Sequence, residues 1–210
     1  MLYYVTTNPG KIREARQYLG DETITDYDYD YPEIQSESMK AIAAEGARDA
    51  YRKLGEPVVV DDSGLFVNGL EGFPGPYSSY VEEKLGIERV WNLVEPLDDR
   101  TASFRCVMAY CDGDPFEASP DPVDKDDRAA AAASAGESLE EDEPLAVKLF
   151  VGTVRGEIVA PRGDGGFGFD PIFEHDDSTF AELTSEEKNA LSHRGRALAK
   201  FAEWYETKDS

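Results

Sequence analysis

Short apolar runs alternate along the chain with amphipathic stretches, which is the pattern of an α/β fold. Residues 2–6 predict a first strand, residues 8–10 a turn, and residues 11–19 a helix in which apolar positions recur every three or four residues. A weak strand at residues 23–25 is followed by a helix that Ser38 caps and that continues to residue 53. The first quarter of the chain therefore predicts two strands, each followed by a helix.

The central stretch V-V-V-D-D-S-G, residues 58–64, predicts a short buried strand that stops at Asp61 and Asp62. In open α/β sheets, ligands bind beyond the carboxyl ends of the strands. Two acids at such a strand end indicate a metal ligand or a proton acceptor. The alternative is a turn in which both acids cap the segment that follows.

The remaining apolar segments predict further helices and strands around one acidic insertion. Predicted helices cover residues 79–85, 87–94 and 196–205, predicted strands cover residues 101–110, 147–151 and 154–159, and Ser185 caps a helix before the last one. Residues 112–144 are rich in Asp, Glu, Pro and Ala and cannot supply a core, although residues 126–135 favour a short surface helix. We expect a single domain over residues 1–210, interrupted by this insertion.

Acidic residues outnumber basic ones along the whole chain, 44 against 21, which gives a formal net charge of −23. Such a charge repels anionic ligands in dilute buffer, but the Debye length falls to about 3 Å in 1 M salt and the repulsion is then screened. We expect a salt-adapted protein that keeps its fold and activity better in molar salt than in dilute buffer. Equal stability and equal activity in both buffers would contradict this expectation.

Cys106 and Cys111 lie five positions apart in a predicted strand, so their side chains point to opposite faces. We therefore expect neither a disulfide between them nor a metal site built on them. The opening apolar run is too short for a signal peptide or a membrane span. We expect a cytoplasmic protein whose partners include neither membrane nor nucleic acid.

The T-T-N-P-G-K stretch at residues 6–11 lies between a predicted strand and a predicted helix. Free backbone N–H groups and the helix dipole favour an anion there, and Lys11 adds a full positive charge, so phosphate is a suitable ligand. The spacing is not that of a Walker loop, and a plain turn is the alternative. Magnesium prefers oxygen ligands and takes one or two carboxylates with substrate phosphates, which Asp62 and Glu33 would supply. Glu33 is equally suited to a solvated surface.

The G-G-F-G-F-D stretch at residues 165–170 presents aromatic rings between glycines. It predicts either a ring offered to a flat ligand or a tight turn with one phenylalanine in the core. Lys188, His193 and Arg194 place three donors close in sequence. Donors beside an aromatic platform suit recognition of a base through its edge, and base stacking contributes about 1–3 kcal/mol in comparable sites.

Taken together and in order, the stretches T-T-N-P-G-K, V-V-V-D-D-S-G-L, G-F-P-G-P-Y-S, G-F-G-F-D-P-I-F, F-A-E-L with E-E-K-N, and S-H-R resemble the inosine triphosphate pyrophosphatase family. They cover nearly the whole chain except the acidic insertion. The resemblance implies magnesium-dependent hydrolysis of ITP, dITP and XTP to the monophosphate and pyrophosphate, and a homodimer. It also implies an elongated α/β fold, a twisted mixed sheet with flanking helices that forms two lobes around a central cleft.

The same resemblance implies a role for each matching residue. Asp62 would be the catalytic proton acceptor and, with Glu33, would hold Mg²⁺, although only P-E-I-Q around Glu33 matches the family. The substrate-binding residues would be Thr6, Thr7, Asn8, Pro9, Gly10, Lys11, Ser63, Phe167, Gly168, Phe169, Asp170, Lys188, His193 and Arg194.

Three other functions are compatible with parts of this pattern. A related pyrophosphatase would act on modified pyrimidine nucleotides, and a nucleotide sensor would bind without turnover. An aspartyl-phosphate phosphatase would use Asp61 or Asp62 as its nucleophile and release orthophosphate first.

Overall fold

The computed structural model describes residues 1–115 and 145–208, which form two compact units. Of the described residues, unit 1 comprises 1–62, 107–115, 145–151 and 197–208, and unit 2 comprises Ser63–Cys106 and Gly152–Arg196. Most of the predicted acidic insertion, including its predicted helix at residues 126–135, lies outside the described residues.

The described residues contain eight strands and six α-helices. The strands are β1 (Leu2–Val5), β2 (Ile24–Tyr27), β3 (Val58–Val67), β4 (Pro74–Gly75), β5 (Thr101–Cys111), β6 (Lys148–Ile158), β7 (Phe173–His175) and β8 (Ser178–Thr179). The helices are α1 (Pro9–Leu19), α2 (Met39–Leu54), α3 (Ser78–Leu85), α4 (Ile87–Val94), α5 (Ser185–Leu191) and α6 (His193–Lys208).

Hydrogen bonds order the strands β2-β1-β3-β5-β6-β7-β8, and β4 pairs with β3. The sheet is mixed, since β1 pairs in parallel with β2 and β3, whereas β4 runs antiparallel to β3 and β7 antiparallel to β6 and β8. The predicted α/β class with a mixed sheet and flanking helices is confirmed.

The two long amino-terminal helices each begin directly after a residue whose side chain caps the first turn. Asn8 caps α1 by accepting from the N–H of Gly10, and Ser38 caps α2 by accepting from the N–H of Ala41. The predicted turn at residues 8–10 is therefore wrong in part, because Pro9 already occupies the first helical position, which its fixed φ suits.

Each unit has an apolar core of its own. In unit 1, aromatic rings of α6 pack on those of β5 and β6: Phe201 lies 5.9 Å from Tyr110 and 5.3 Å from Phe150, centroid to centroid. In unit 2, buried residues from strands and helices form one cluster, which comprises Leu65, Val67, Val81, Val90, Val94, Ala102, Phe104, Val154, Ile158, Phe169, Ile172, Phe173 and Phe180.

Three details differ from the prediction. β3 does not stop at Asp61 but continues to Val67, and β6 is one strand where two were predicted, because an extended ladder accommodates Gly152 without a break. Thr184, not Ser185, caps α5: its side chain accepts from the N–H of Glu187, whose carboxylate accepts from Thr184 in return.

Cys106 and Cys111 are both buried, and neither forms a disulfide within the described residues. Burial raises the pKa of the Cys111 thiol. None of the helices within residues 1–115 and 145–208 has the length and apolar character needed to cross a membrane.

Candidate active site

Parallel pairing in unit 1 brings the T-T-N-P-G-K loop to the same sheet edge as Asp61 and Asp62. β1 and β3 run side by side with Tyr4 opposite Val59. Because both strands run toward one edge, the loop that follows β1 and the two acids that follow Val60 lie there together. Strand pairing thus joins two predicted parts of the site that are about fifty residues apart in sequence.

Most backbone N–H groups of this loop already donate within the protein. The N–H of Thr6 donates to the carbonyl of Tyr27, that of Asn8 to the Thr6 hydroxyl, and that of Gly10 to the Asn8 side chain. The prediction of several free N–H groups is therefore wrong, because strand pairing, the Thr6 hydroxyl and the helix cap use them. The Lys11 ammonium and the threonine hydroxyls are the groups suited to meet a phosphate.

Asp61 forms a buried polar cluster with residues of β1 and α1. Its Oδ1 accepts a 2.6 Å hydrogen bond from the Tyr4 hydroxyl and lies 3.0 Å from the Lys11 Nζ. The Asp61 side chain is fully buried, whereas 22% of the Lys11 side chain is exposed. A buried carboxylate is tolerated in this place because it is paired and hydrogen-bonded. Asp62, the next residue, is half-buried.

Tyr31 connects Glu33 with the acids of β3. Burial raises the pKa of the Tyr31 hydroxyl, and the charges of Asp61, Asp62 and Glu33 raise it further. With Asp30, four carboxylates therefore act on one hydroxyl, although they come from two distant segments. Glu33 itself is exposed. Glu33 and Asp62 thus both act on the Tyr31 hydroxyl, although they are far apart in sequence.

The ring of Tyr31 fits a notch that Gly46 leaves in α2. A Cβ atom at Gly46 would lie 2.4 Å from the Tyr31 Cε2, closer than real contacts allow. We expect Gly46→Ala to displace Tyr31 and to lower the free energy of unfolding by about 1–3 kcal/mol, measured by urea denaturation.

The matched control for Gly46→Ala is the same change in a Tyr31→Ala background. Without the ring, alanine is the better helix former, so the substitution should raise stability by up to about 1 kcal/mol. A loss of stability in both backgrounds would show that the notch is not the cause.

The donor set around Tyr31 fits magnesium only in part. Carboxylate oxygens are the ligands that Mg²⁺ prefers, and Glu33 and Asp62 supply two such groups. Within the part of the chain that the structure describes, no three His, Cys, Asp or Glu residues group as a complete metal site. A magnesium ion held by these two acids would therefore take its other ligands from substrate phosphates and water.

In unit 2, the Asp170 carboxylate organises the glycine-rich loop. Asp170 is buried, and its Oδ2 accepts from the Phe167 N–H at 2.7 Å and from the Lys188 Nζ at 2.5 Å. A Cβ at Gly166 would lie 2.2 Å from the same oxygen, so only glycine fits there. One carboxylate oxygen thus fixes both the loop and the lysine.

The two phenylalanines of the loop have different environments. The Phe167 ring is half exposed, with 49% of its residue surface accessible, whereas Phe169 is buried in the unit 2 core. Features of both alternatives are therefore present: Phe167 presents its ring to solvent, and Phe169 is the phenylalanine in the core. Any contact of Phe169 with a ligand would have to come from its backbone.

Two of the three predicted base-edge donors, Lys188 and Arg194, lie next to the Phe167 ring. The Lys188 Nζ lies 4.1 Å and the Arg194 Cζ 5.7 Å from the Phe167 ring centroid. The His193 ring stacks on Phe104, with centroids 4.8 Å apart and planes 13° apart. All three donors are buried. Unit 2 therefore brings together an aromatic ring and two cationic side chains.

The three donors come from two helices because the helical backbone is interrupted at Ser192. Lys188 belongs to α5, whereas His193 and Arg194 open α6. The Ser192 hydroxyl accepts from the Gly195 N–H at 2.9 Å, as an N-terminal cap does. Ser63, also predicted in the site, is half-buried in β3 directly after Asp62.

Comparison with known proteins identifies the family. A profile of the Ham1 family matches residues 2–121 and 116–204, nearly the whole chain. The chain belongs to the Ham1 family. Two relatives, both dITP/XTP pyrophosphatases, come from Methanosarcina mazei and Thermococcus kodakarensis. They are 43% and 41% identical over 208 residues, which cover 97% of this chain and 96% of each relative.

Solved Ham1 structures agree with this assignment. A HAM1 protein from Coxiella burnetii has a TM-score of 0.74 and 31% identity, and the alignment covers 99% of this chain and all of that one. The Staphylococcus aureus Ham1 protein has a TM-score of 0.73 and 28% identity, with the same coverage. The family resemblance drawn from the sequence motifs is thus confirmed.

Three residues of the two clusters were absent from the predicted site. Tyr4 holds Asp61, Tyr31 lies among the acids, and Phe104 stacks on His193. Their sequence signals are weak, since each is an aromatic residue in an apolar or turn-rich segment. The Y-P-E context of Tyr31 is the one clue that the sequence offers.

Proposed function

We propose that this Ham1 protein is a magnesium-dependent nucleoside triphosphate pyrophosphohydrolase that converts dITP, ITP and XTP to the monophosphate and pyrophosphate. The observation that carries this conclusion is the full-length similarity to relatives named dITP/XTP pyrophosphatase, which extends over 97% of this chain and 96% of the first relative. The enzyme class predicted from the motifs agrees with those names. Its role would be to remove non-standard purines from the nucleotide pool.

Residues of unit 1 bind the triphosphate in this proposal. Lys11, whose side chain is partly exposed, neutralises phosphate charge, and Thr6 and Thr7 add hydroxyl donors. Asn8, Pro9 and Gly10 act through the cap that fixes the start of α1 and so the direction of Lys11. The positive end of the helix dipole adds to the attraction.

Glu33 and Asp62 are the residues that would hold Mg²⁺, which when bound supplies positive charge that neutralises the triphosphate. Their oxygen chemistry and their shared action on Tyr31 support this assignment.

Asp62 serves as the proton acceptor for the water that attacks the α-phosphorus. Asp62 is half-buried as a residue and its Oδ2 is shielded from solvent, so the carboxylate loses part of its solvation, which suits a general base. Asp61 is a poorer candidate, because its carboxylate already accepts from Tyr4 and pairs with Lys11. The same pairing weighs against Asp61 as the nucleophile of an aspartyl-phosphate phosphatase.

Residues of unit 2 recognise the purine. Phe167 offers its exposed face for stacking, and Lys188, His193 and Arg194 offer donors to the base edge. The substrate pocket in this proposal is also lined by four further residues: Ser63, Gly168, Phe169 and Asp170. A 6-oxopurine presents an acceptor to these donors, whereas adenine presents an amino group. Donors left unpaired cost about 1–3 kcal/mol each, so ATP should be rejected.

We also propose that residues 1–210 act as a single pyrophosphatase domain and that the protein is a cytoplasmic homodimer. These proposals rest on the family resemblance and on the location of nucleotide pools. Sedimentation velocity at several protein concentrations in molar salt would test the dimer.

A product assay tests the proposed function. The protein is incubated with dITP, XTP, dATP and modified pyrimidine triphosphates, with magnesium or with EDTA, and the products are separated by ion-exchange chromatography. We expect dITP and XTP to react fastest, to give monophosphate and pyrophosphate, and to need magnesium. Faster reaction of a pyrimidine, orthophosphate as the first product, or binding without turnover would each favour one of the alternative functions.

A further inference from the structure

The two adjacent acids of β3 have different environments. Successive residues of a strand point to opposite faces of the sheet, so Asp61 and Asp62 cannot share one task. The Asp61 side chain is fully buried beside Tyr4 and Lys11, whereas Asp62 is half-buried. The role of Asp61 must therefore be found in the groups that it contacts.

Asp61 contacts Lys11 through two oxygens. The Lys11 Nζ lies 3.0 Å from the Asp61 carboxylate and 3.4 Å from the Asp61 backbone carbonyl. The Tyr4 hydroxyl holds the same carboxylate oxygen at 2.6 Å, and Tyr4 is fully buried. The carboxylate is thus fixed from β1, and it offers the flexible lysine a rigid point of attachment.

A lysine held in this way can still bind phosphate. An ammonium group has three N–H donors, and Asp61 needs only part of them. The Lys11 side chain also retains 22% exposure, so it is not sealed inside the unit. Since a long side chain that is already ordered loses less entropy on binding, attachment to Asp61 would prepare Lys11 for the reaction.

We propose that Asp61 is a positioning residue that acts through Lys11: it fixes the ammonium where the scissile phosphate must lie. This inference rests on the proposed function, in which Lys11 contacts the triphosphate. It separates the D-D pair into a positioning acid, Asp61, and a reacting acid, Asp62.

A double-mutant cycle tests the inference. We compare the parent, Asp61→Asn, Lys11→Met and the double variant by kcat for dITP and by calorimetric Kd for inorganic tripolyphosphate. Asp61→Asn should lower kcat at least about tenfold in the parent and less than about twofold when Lys11 is methionine. The Kd should change less than about threefold, because the lysine charge remains.

Two further variants separate positioning from folding. Glu45→Gln removes another buried ion pair of unit 1, in which Glu45 lies 3.0 Å from Arg48, and should leave kcat within about twofold. Lys11→Arg keeps the charge but changes the shape of the cation, and should also lower kcat at least about fivefold. This last variant tests the inference even if Asp61→Asn does not fold.

The outcomes are distinct. Equal losses from Asp61→Asn in both backgrounds, or a Lys11→Arg enzyme as active as the parent, would overturn the positioning role while the proposed function stood. A parent protein that releases no pyrophosphate from any triphosphate would overturn the proposed function and this inference with it.

Discussion

The Asp62→Asn variant is expected to release pyrophosphate about a thousandfold more slowly than the parent, the size of effect that the loss of a general base produces. Asparagine keeps the shape of the side chain but cannot accept the proton of the attacking water, and it is a weaker ligand for a divalent cation. Single-turnover measurements with dITP and saturating magnesium would determine the rate.

The control for Asp62→Asn is Asp21→Asn, which removes an acid of the same unit whose side chain is 87% exposed. It should retain full activity, and both variants should show the unfolding midpoint of a folded protein. If Asp62→Asn were as active as the parent, Asp62 would be neither the proton acceptor nor a required metal ligand.

The second large effect concerns the choice of base. Arg194→Met should lower kcat/KM for dITP about 10–100-fold and leave the slow reaction of dATP nearly unchanged, because a hydrogen bond from a charged donor contributes about 1.5–3 kcal/mol. Arg194 is buried beside the Phe167 ring, so methionine can replace its stem but not its N–H groups.

Arg196 supplies the matched control for this experiment. It lies on the same helix two residues later, is exposed, and donates to the Thr153 carbonyl at 2.9 Å. Arg196→Met should therefore preserve the preference for dITP over dATP. If Arg194→Met lowered the rates for both triphosphates equally, Arg194 would support the fold of unit 2 and would not read the base.

Local signals predicted the helices well. Gly20 ends α1, Ser38 caps α2, and α4 covers the residues predicted from its apolar spacing. In each of these elements, the deciding contacts lie within a few residues in sequence. Such contacts can be deduced from the side chains alone.

Distant contacts explain where the prediction of the site was incomplete. Two adjacent acids normally end a strand, but Asp61 stays within β3 because Tyr4, 57 residues earlier, donates to it. From the sequence alone, Gly46 only weakens α2, because glycine is a poor helix former. Its role, to leave space for the Tyr31 ring, is visible only in the tertiary structure. The short strands β7 and β8 exist through mutual pairing and have little pattern of their own.

The candidate residues could be named from the sequence because their chemical types alone indicate which ligand each would suit. Lys11, Asp62, Phe167 and Arg194 are chemically suited to phosphate, metal and base wherever they point. Their partners in the fold, by contrast, depend on the tertiary structure and could not be named from the sequence.

The shared acceptor at Asp170 has a consequence for redesigning base preference. Because one oxygen accepts from both the Phe167 backbone N–H and the Lys188 ammonium, a substitution of Asp170 would release the loop and the lysine together. In the proposed mode of base recognition, a variant designed to accept adenine would therefore need coordinated changes at Asp170, Lys188 and the loop. In that proposal, evolution toward a different base should be slow, because a single substitution of Asp170 would displace both groups at once.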